Sequence, residues 1–234
     1  MIYKIIPAVM FFLMSFTSNQ NKSINHKLAH STTPTLEVKV EAVYSDLHTN
    51  NLALPKMESF SEALKGFYRL KEKGLIQKDI LTLVDFSLSS NVKRLWVIDL
   101  ATNTILYNSL VAHGRNTGEE FATSFSNNAS SFKSSLGFYT TGEIYMGKHG
   151  ESLKLDGLEK GVNDKARERG VVMHAADYVS NSFIKNNKRL GRSQGCPAIP
   201  VELSAEIINT IKNKSCLFIY HPSRNYCNFT KLLS

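Results

Sequence analysis

The stretch GRSQGCPAIP, residues 191–200, sets Cys196 between Gly195 and Pro197. A cysteine nucleophile needs thiolate character, a base or cationic partner, and donors for an oxyanion. Gly195 has no β-carbon, so the chain there can turn tightly and aim the N–H groups of Gly195 and Cys196 at one point. Pro197 fixes the backbone just after the cysteine and removes a competing donor. The candidate base is His174, at the end of GVVMH and before the small pair Ala175-Ala176. A neutral imidazole there could deprotonate the thiol, or the two could rest as a thiolate–imidazolium pair. The same residues also fit a blander reading, a tight turn with a buried thiol and a structural histidine. Zinc held by His149, His174 and Cys196 is a third reading, disfavoured because no short Cys/His pair supports it.

These residues need elements to hold them. GVVMHAADYV reads as a β-run that ends on His174, and PVELSAEIINTIKNKS reads as a helix after the cysteine turn. CLFIYHP is a final strand. Upstream, KRLWVIDL and TILYNSLVAHG read as a hairpin joined near ATN, and DILTLVDFSL as a strand before it. The segments SSLGFYTTGEIYMG and KHGESLKLDGLEKG are punctuated by glycine. SFSEALKGFYRLKEKG has Phe60, Ala63, Leu64, Phe67, Tyr68 and Leu70 at helical spacing, Ser59 and Glu62 as a capping box, and Gly74 as a stop. Residues 36–48 carry a weak signal for an irregular helix. The pattern is mostly β with a few helices and no internal repeat.

The chain has 234 residues, three cysteines and 28 Lys+Arg against 20 Asp+Glu, a formal charge of +8. Such a surface suits anionic partners. The charge is dispersed and no nucleic-acid-reading motif is present, which argues against nucleic acid. Lys4, then an apolar run from Ile5 to Phe16, then small and polar residues, has the plan of a secretory signal; the run is short for a membrane span. An uncleaved anchor or a simple buried terminus is the alternative, and such an anchor is the only membrane attachment expected. Export would leave one thiol over among Cys196, Cys216 and Cys227. Either Cys216 pairs with Cys227, or all three are free with Cys216 buried in CLFIY.

VVMHAADYV followed by GRSQGCPA resembles the His…Ser-x-Gly-Cys signature of the L,D-transpeptidase catalytic domain, in a divergent branch common in Bacteroidetes-type bacteria. VAHGRNTG, FSNN, SSLGFYTTG, GKHGESLKLDGLEKGVNDKARERG and GRSQGCPAIP stand in order, with ILTLVDFSLSS upstream, so the likeness spans about residues 58–222. It implies an α+β, mainly β fold: a β-sandwich-like catalytic domain over 91–222 with a helical lead-in over 58–90. A signal or anchor (1–18), a polar linker and extension (19–57) and a tail (223–234) complete the chain. The implied location is the periplasm or cell envelope of a Gram-negative bacterium.

The resemblance also implies a reaction without cofactor or metal. Cys196 attacks the carbonyl of the L-centre diamino acid in a peptidoglycan stem tetrapeptide, D-alanine leaves, and a thioester passes to the amine of a second stem, forming a 3→3 cross-link. His174 is base and then acid; Gly195 and Cys196 supply the oxyanion hole. Ser193, Gln194, Arg192, Tyr145, Lys148 and His149 are the candidate substrate contacts, with Lys148 and Arg192 suited to stem carboxylates. Gln194 stands where better-known members have histidine, and Ala198 where they often carry Arg or Asn. Two other functions stay open: an L,D-carboxypeptidase with water as acceptor, and a non-catalytic envelope-binding protein.

Overall fold

The computed structural model describes residues 35–223 together with Tyr226, Thr230 and Leu232. The apolar run proposed as a signal, residues 19–34 of the proposed linker and extension, and Cys227 lie outside the described residues.

Helix α1 (Leu36–Ser45) opens on Thr35, whose hydroxyl accepts the Val38 N–H. It buries Val40 alone, which explains its faint signal in the sequence. The stretch after it is anchored to the domain: His48 bridges to Thr104, and the indole of Trp96 donates to the Ala53 carbonyl at 2.7 Å. Residues 35–57, the extension after the linker, therefore pack as part of the folded unit.

Helix α2 (Met57–Glu72) is the one the apolar spacing demands, and Phe60, Ala63, Leu64, Phe67 and Leu70 are all buried. The expected capping box does not form. The helix begins at Met57, so Ser59 already lies inside the first turn, where its hydroxyl donates to the Lys56 carbonyl at 3.1 Å. Gly74 does stop the helix. With φ +67 it lets Leu75 N–H reach Leu70 O and its own N–H reach Lys71 O, a Schellman closure.

Eight strands follow: β1 (Ile80–Asp85), β2 (Leu95–Asp99), β3 (Thr104–Ser109), β4 (Gly137–Gly147), β5 (Gly150–Gly157), β6 (Val172–Ala175), β7 (Ala198–Ile199) and β8 (Cys216–Tyr220). Helices α3 (Asn181–Asn187) and α4 (Val201–Ile211) interrupt them. The strands form one continuous sheet in the order β3-β2-β1-β8-β4-β5-β6-β7, with β1–β8 and β6–β7 parallel and the other pairs antiparallel. The α+β class and the small N-terminal helical portion are those the resemblance implied. β2 and β3 are the expected hairpin. The long β4–β5 hairpin was not legible as strands, because its outer half leaves the pattern: Glu143, Tyr145 and Met146 are exposed, and the register shifts between Thr141 and Ile144.

The core lies between α2 and the sheet centre, where Phe138 of β4 stacks on Phe218 of β8 at 4.1 Å between ring centroids. Gly66 makes that approach possible: a β-carbon there would sit 1.9 Å from the tip of the Phe138 ring. Cys216 is a free, fully buried thiol, which removes the proposed Cys216–Cys227 bridge. The C-terminal tail is held to the domain through Glu159, whose buried carboxylate accepts from Tyr226 Oη and Thr230 Oγ1.

Gly66→Ala tests the helix–sheet packing. In an exposed helix the change would gain about 1 kcal/mol; here it forces the Phe138 ring to move and is expected to lose about 1–3 kcal/mol. Urea unfolding measures it, and an unchanged or raised midpoint contradicts the packing described.

Candidate active site

Strand pairing brings Cys196 and His174 to one place. β7 pairs in parallel with β6, with Ala198 opposite His174, so the cysteine two residues before Ala198 arrives beside the end of the histidine strand. β5 flanks β6 on its other side, setting Ser152 opposite His174.

The turn before Cys196 is over-determined. Gly195 has φ +124, and a β-carbon there would lie 2.9 Å from the Lys133 carbonyl oxygen. Ser193 Oγ accepts the Gly195 N–H at 3.0 Å and donates to the Cys196 carbonyl at 2.6 Å. Ser134 Oγ donates to the Gly195 carbonyl at 3.1 Å and accepts the Gly114 N–H at 3.0 Å. Ser193 also bridges to Gly114, exchanging backbone bonds with His113 and Arg115. The motif VAHGRNTG thus serves as the shelf on which the cysteine turn rests.

Cys196 is a free, half-buried thiol. Its Sγ accepts the Val172 N–H at 3.5 Å and directs its own hydrogen to the Gly170 carbonyl at 3.7 Å. Burial pushes the thiol above its usual range; the Val172 N–H and the nearby charges of Arg169 and Lys148 partly oppose this. His174 is buried, and burial lowers its basicity; the bond at Ala175 opposes the shift, while His149 and Lys148 reinforce it. Both directions favour a neutral thiol and a neutral imidazole over the thiolate–imidazolium pair that the sequence also allowed. His174 Nδ1 lies 2.8 Å from the Ala175 carbonyl, so Nδ1 carries the hydrogen and Nε2 is the basic nitrogen. The neighbouring carbonyl is the orienting group. The ring of His149 stacks on that of His174 at 4.4 Å and 19°.

Both residues line a cleft of about 580 Å³. Ser193, Gln194, Arg192, Tyr145, Lys148 and His149 line it too, so the expected site residues converge. Their expected roles do not all survive. Gly195 was expected to offer its N–H to an oxyanion, but that N–H is engaged by Ser193 Oγ. Ser193 is correspondingly occupied in shaping the turn. Arg192 was expected to meet substrate carboxylates, yet its Nη1 is bonded to Glu119 Oε1 and to the carbonyls of Arg115 and Gly118. Lys148 makes no ion pair among the described residues and is the cation left available in the hairpin. Among the described residues no group of three His, Cys, Asp or Glu side chains is placed to hold a metal ion, so the zinc reading of His149, His174 and Cys196 finds no support.

Arg169 proves more important than the sequence suggested. It lines the cleft and lowers the thiol's pKa through its charge, while bonding Ser126 O, Ser135 Oγ, Ser131 Oγ and Lys133 O. It ties the loop over residues 126–135 to the floor of the site. His113 is structural: fully buried, it accepts from Arg94 at Nδ1 and is held neutral, with its pKa lowered to about 4. The sequence reading did not single out several wall residues, among them Phe132, Ser152 and Tyr178.

A family model described as the L,D-transpeptidase catalytic domain matches residues 53–220, the segment that contains both Cys196 and His174. The chain belongs to the L,D-transpeptidase catalytic-domain family. No curated protein matches significantly. Solved structures that resemble this L,D-transpeptidase-family chain include an L,D-transpeptidase from Mycobacterium smegmatis, at 11% identity and TM-score 0.39, covering 61% of this chain and 59% of that one. Others are the helical cell shape determining protein Pgp2 (K307A mutant) from Campylobacter jejuni, at 12% identity and TM-score 0.43 (70% and 55%), and an L,D-transpeptidase from Stackebrandtia nassauensis, at 9% and 0.38 (71% and 68%). The match thus spans somewhat over half the length of the first two proteins.

A neutral resting pair has a kinetic signature. With the Cys196 pKa raised and the His174 pKa lowered, alkylation of Cys196 by iodoacetamide should accelerate steadily between about pH 6 and pH 8.5, with no plateau at the acid end. Rates from peptide mapping decide the matter; a pH-independent acid plateau would reveal a preformed thiolate–imidazolium pair instead.

Proposed function

We propose that this chain is a cysteine acyl-transferase of the cell envelope that acts on peptidoglycan stem peptides. The observation that carries the reading is the free Cys196 thiol sharing one cleft with an oriented His174, inside the segment the family model matches.

In the proposed reaction His174 Nε2 takes the thiol proton as Sγ leaves its contact with the Gly170 carbonyl and attacks the carbonyl carbon of the diamino acid in a stem tetrapeptide. The S–C bond forms as the carbonyl electron pair moves to oxygen. Collapse of the intermediate breaks the C–N bond to D-alanine, whose amine takes the proton from His174. A thioester on Cys196 remains. An amine of a second stem then attacks the thioester carbonyl carbon, its proton passing to His174; the C–S bond breaks, His174 returns the proton to Sγ, and the new amide is a 3→3 cross-link. Because the imidazole starts neutral, it can act as base first and acid second. The free charge of Lys148 suits the carboxylates of an incoming stem. Delivery to the periplasm through the N-terminal apolar run belongs to the same proposal; it places the enzyme where its substrate is.

A carbapenem-type β-lactam offers a strained carbonyl that acylates such a thiol and stays attached. Intact-mass analysis should find one carbapenem mass added to wild-type protein and none added to Cys196→Ala. Unmodified wild-type protein, under conditions that acylate an established L,D-transpeptidase, contradicts the proposal.

A further inference from the structure

The imidazole of His174 is held by one hydrogen bond, from Nδ1 to the Ala175 carbonyl at 2.8 Å. That bond sets the tautomer, but a single bond at one edge leaves a ring free to tilt about it. A working base must hold its free nitrogen to within about 10–20° of the productive direction, which takes packing as well as a hydrogen bond.

His149 supplies that packing. Its ring lies nearly parallel to the His174 ring, at 4.4 Å between centroids and 19° between planes, a stacked arrangement that aromatic rings favour. His149 is exposed, whereas His174 is buried. Among the described residues His149 makes no hydrogen bond or ion pair, so the stack is what holds its imidazole.

The turn that carries His149 is built to present it. Gly147 and Gly150 pair at the end of the β4–β5 hairpin, which leaves Lys148 and His149 as a two-residue turn. Gly150 has φ +80, a backbone that glycine adopts without strain. The Tyr145 ring closes over Gly147, where a β-carbon would lie 3.1 Å from its Cε2. Ser152 Oγ donates to the Gly150 carbonyl at 3.2 Å, and Ser152 is the residue that stands opposite His174 in the β5–β6 pairing. The turn and the base are therefore joined twice, through the backbone at Ser152 and through the two rings.

We propose that His149 is a positioning residue for the base: its ring, packed on that of His174, fixes the plane in which Nε2 approaches the Cys196 thiol. This goes beyond its expected part as a substrate contact, and it rests on the acyl-transfer reading above. His149 makes and breaks no bond. The thiol proton still passes to His174 Nε2 and from there to the leaving amine.

Two variants separate the flat ring from its polar atoms, and two reagents separate the base from the thiol. His149→Ala removes the stack; His149→Phe keeps a flat ring without nitrogen. Acylation by a carbapenem-type β-lactam should slow by about 10²-fold in His149→Ala, the loss expected of a misplaced reacting group, and should stay close to the wild-type rate in His149→Phe. Alkylation by iodoacetamide at alkaline pH, where the thiol ionises without help from a base, should stay close to wild type in both. Acylation of His149→Ala at the wild-type rate overturns the assignment. So does an equal fall in the two variants, which would give the role to the polar atoms of the imidazole. So does a fall in alkylation that parallels acylation, which would mean that His149 shapes access to the thiol. A wild-type protein that is alkylated but never acylated removes the acyl-transfer reading itself, and this role with it.

Discussion

The site depends on a single backbone constraint, the left-handed Gly195 seated against the Lys133 carbonyl. No side chain fits at that point, and glycine alone adopts such a backbone without steric cost. Two serines secure the bend from opposite sides: Ser193 from within the turn and Ser134 from the neighbouring loop. Gly114 supplies the space, since a β-carbon there would lie 2.9 Å from Gly195 Cα. Arg169 then fixes the loop carrying Lys133 and brings its charge toward the sulfur. Short motifs far apart in the chain are thus parts of one support for Cys196.

The electrostatics follow from the same packing. A thiol desolvated enough to resist ionisation is protected from chance oxidation and alkylation. Arg169, Lys148 and the Val172 N–H offset part of that penalty, so the thiolate remains within reach once a base is available. His174 is matched to it: buried enough to stay neutral and fixed by Ala175 in the tautomer that leaves Nε2 basic. Cys216 is the contrast within the same protein. It is wholly buried, and burial together with the charge of Glu159 holds it well above the ordinary thiol range.

Much of this was legible in the sequence. Helix α2 could be read because its apolar spacing is regular, and the β2–β3 hairpin because its residues favour strands. The glycine-cysteine-proline turn and the strand-ending histidine offered Cys196 and His174 as a pair, but a structural thiol fitted them as well, and it was the ordered motifs of the family resemblance that favoured the pair. The β4–β5 hairpin was obscured by the exposed residues of its outer half. The donors and acceptors inside the site could not be read at all. Whether Gly195 N–H faces a substrate or Ser193, and whether Arg192 faces a carboxylate or Glu119, depends on loops that meet only in three dimensions.

The most direct test of acyl transfer by Cys196 is incubation of the purified protein with a defined disaccharide-tetrapeptide, with mass analysis of protein and products. Free D-alanine, a thioester mass on Cys196 and a 3→3 cross-linked dimer are the predicted result. Unchanged tetrapeptide and unmodified protein, while an established L,D-transpeptidase consumes the same substrate, would contradict the account.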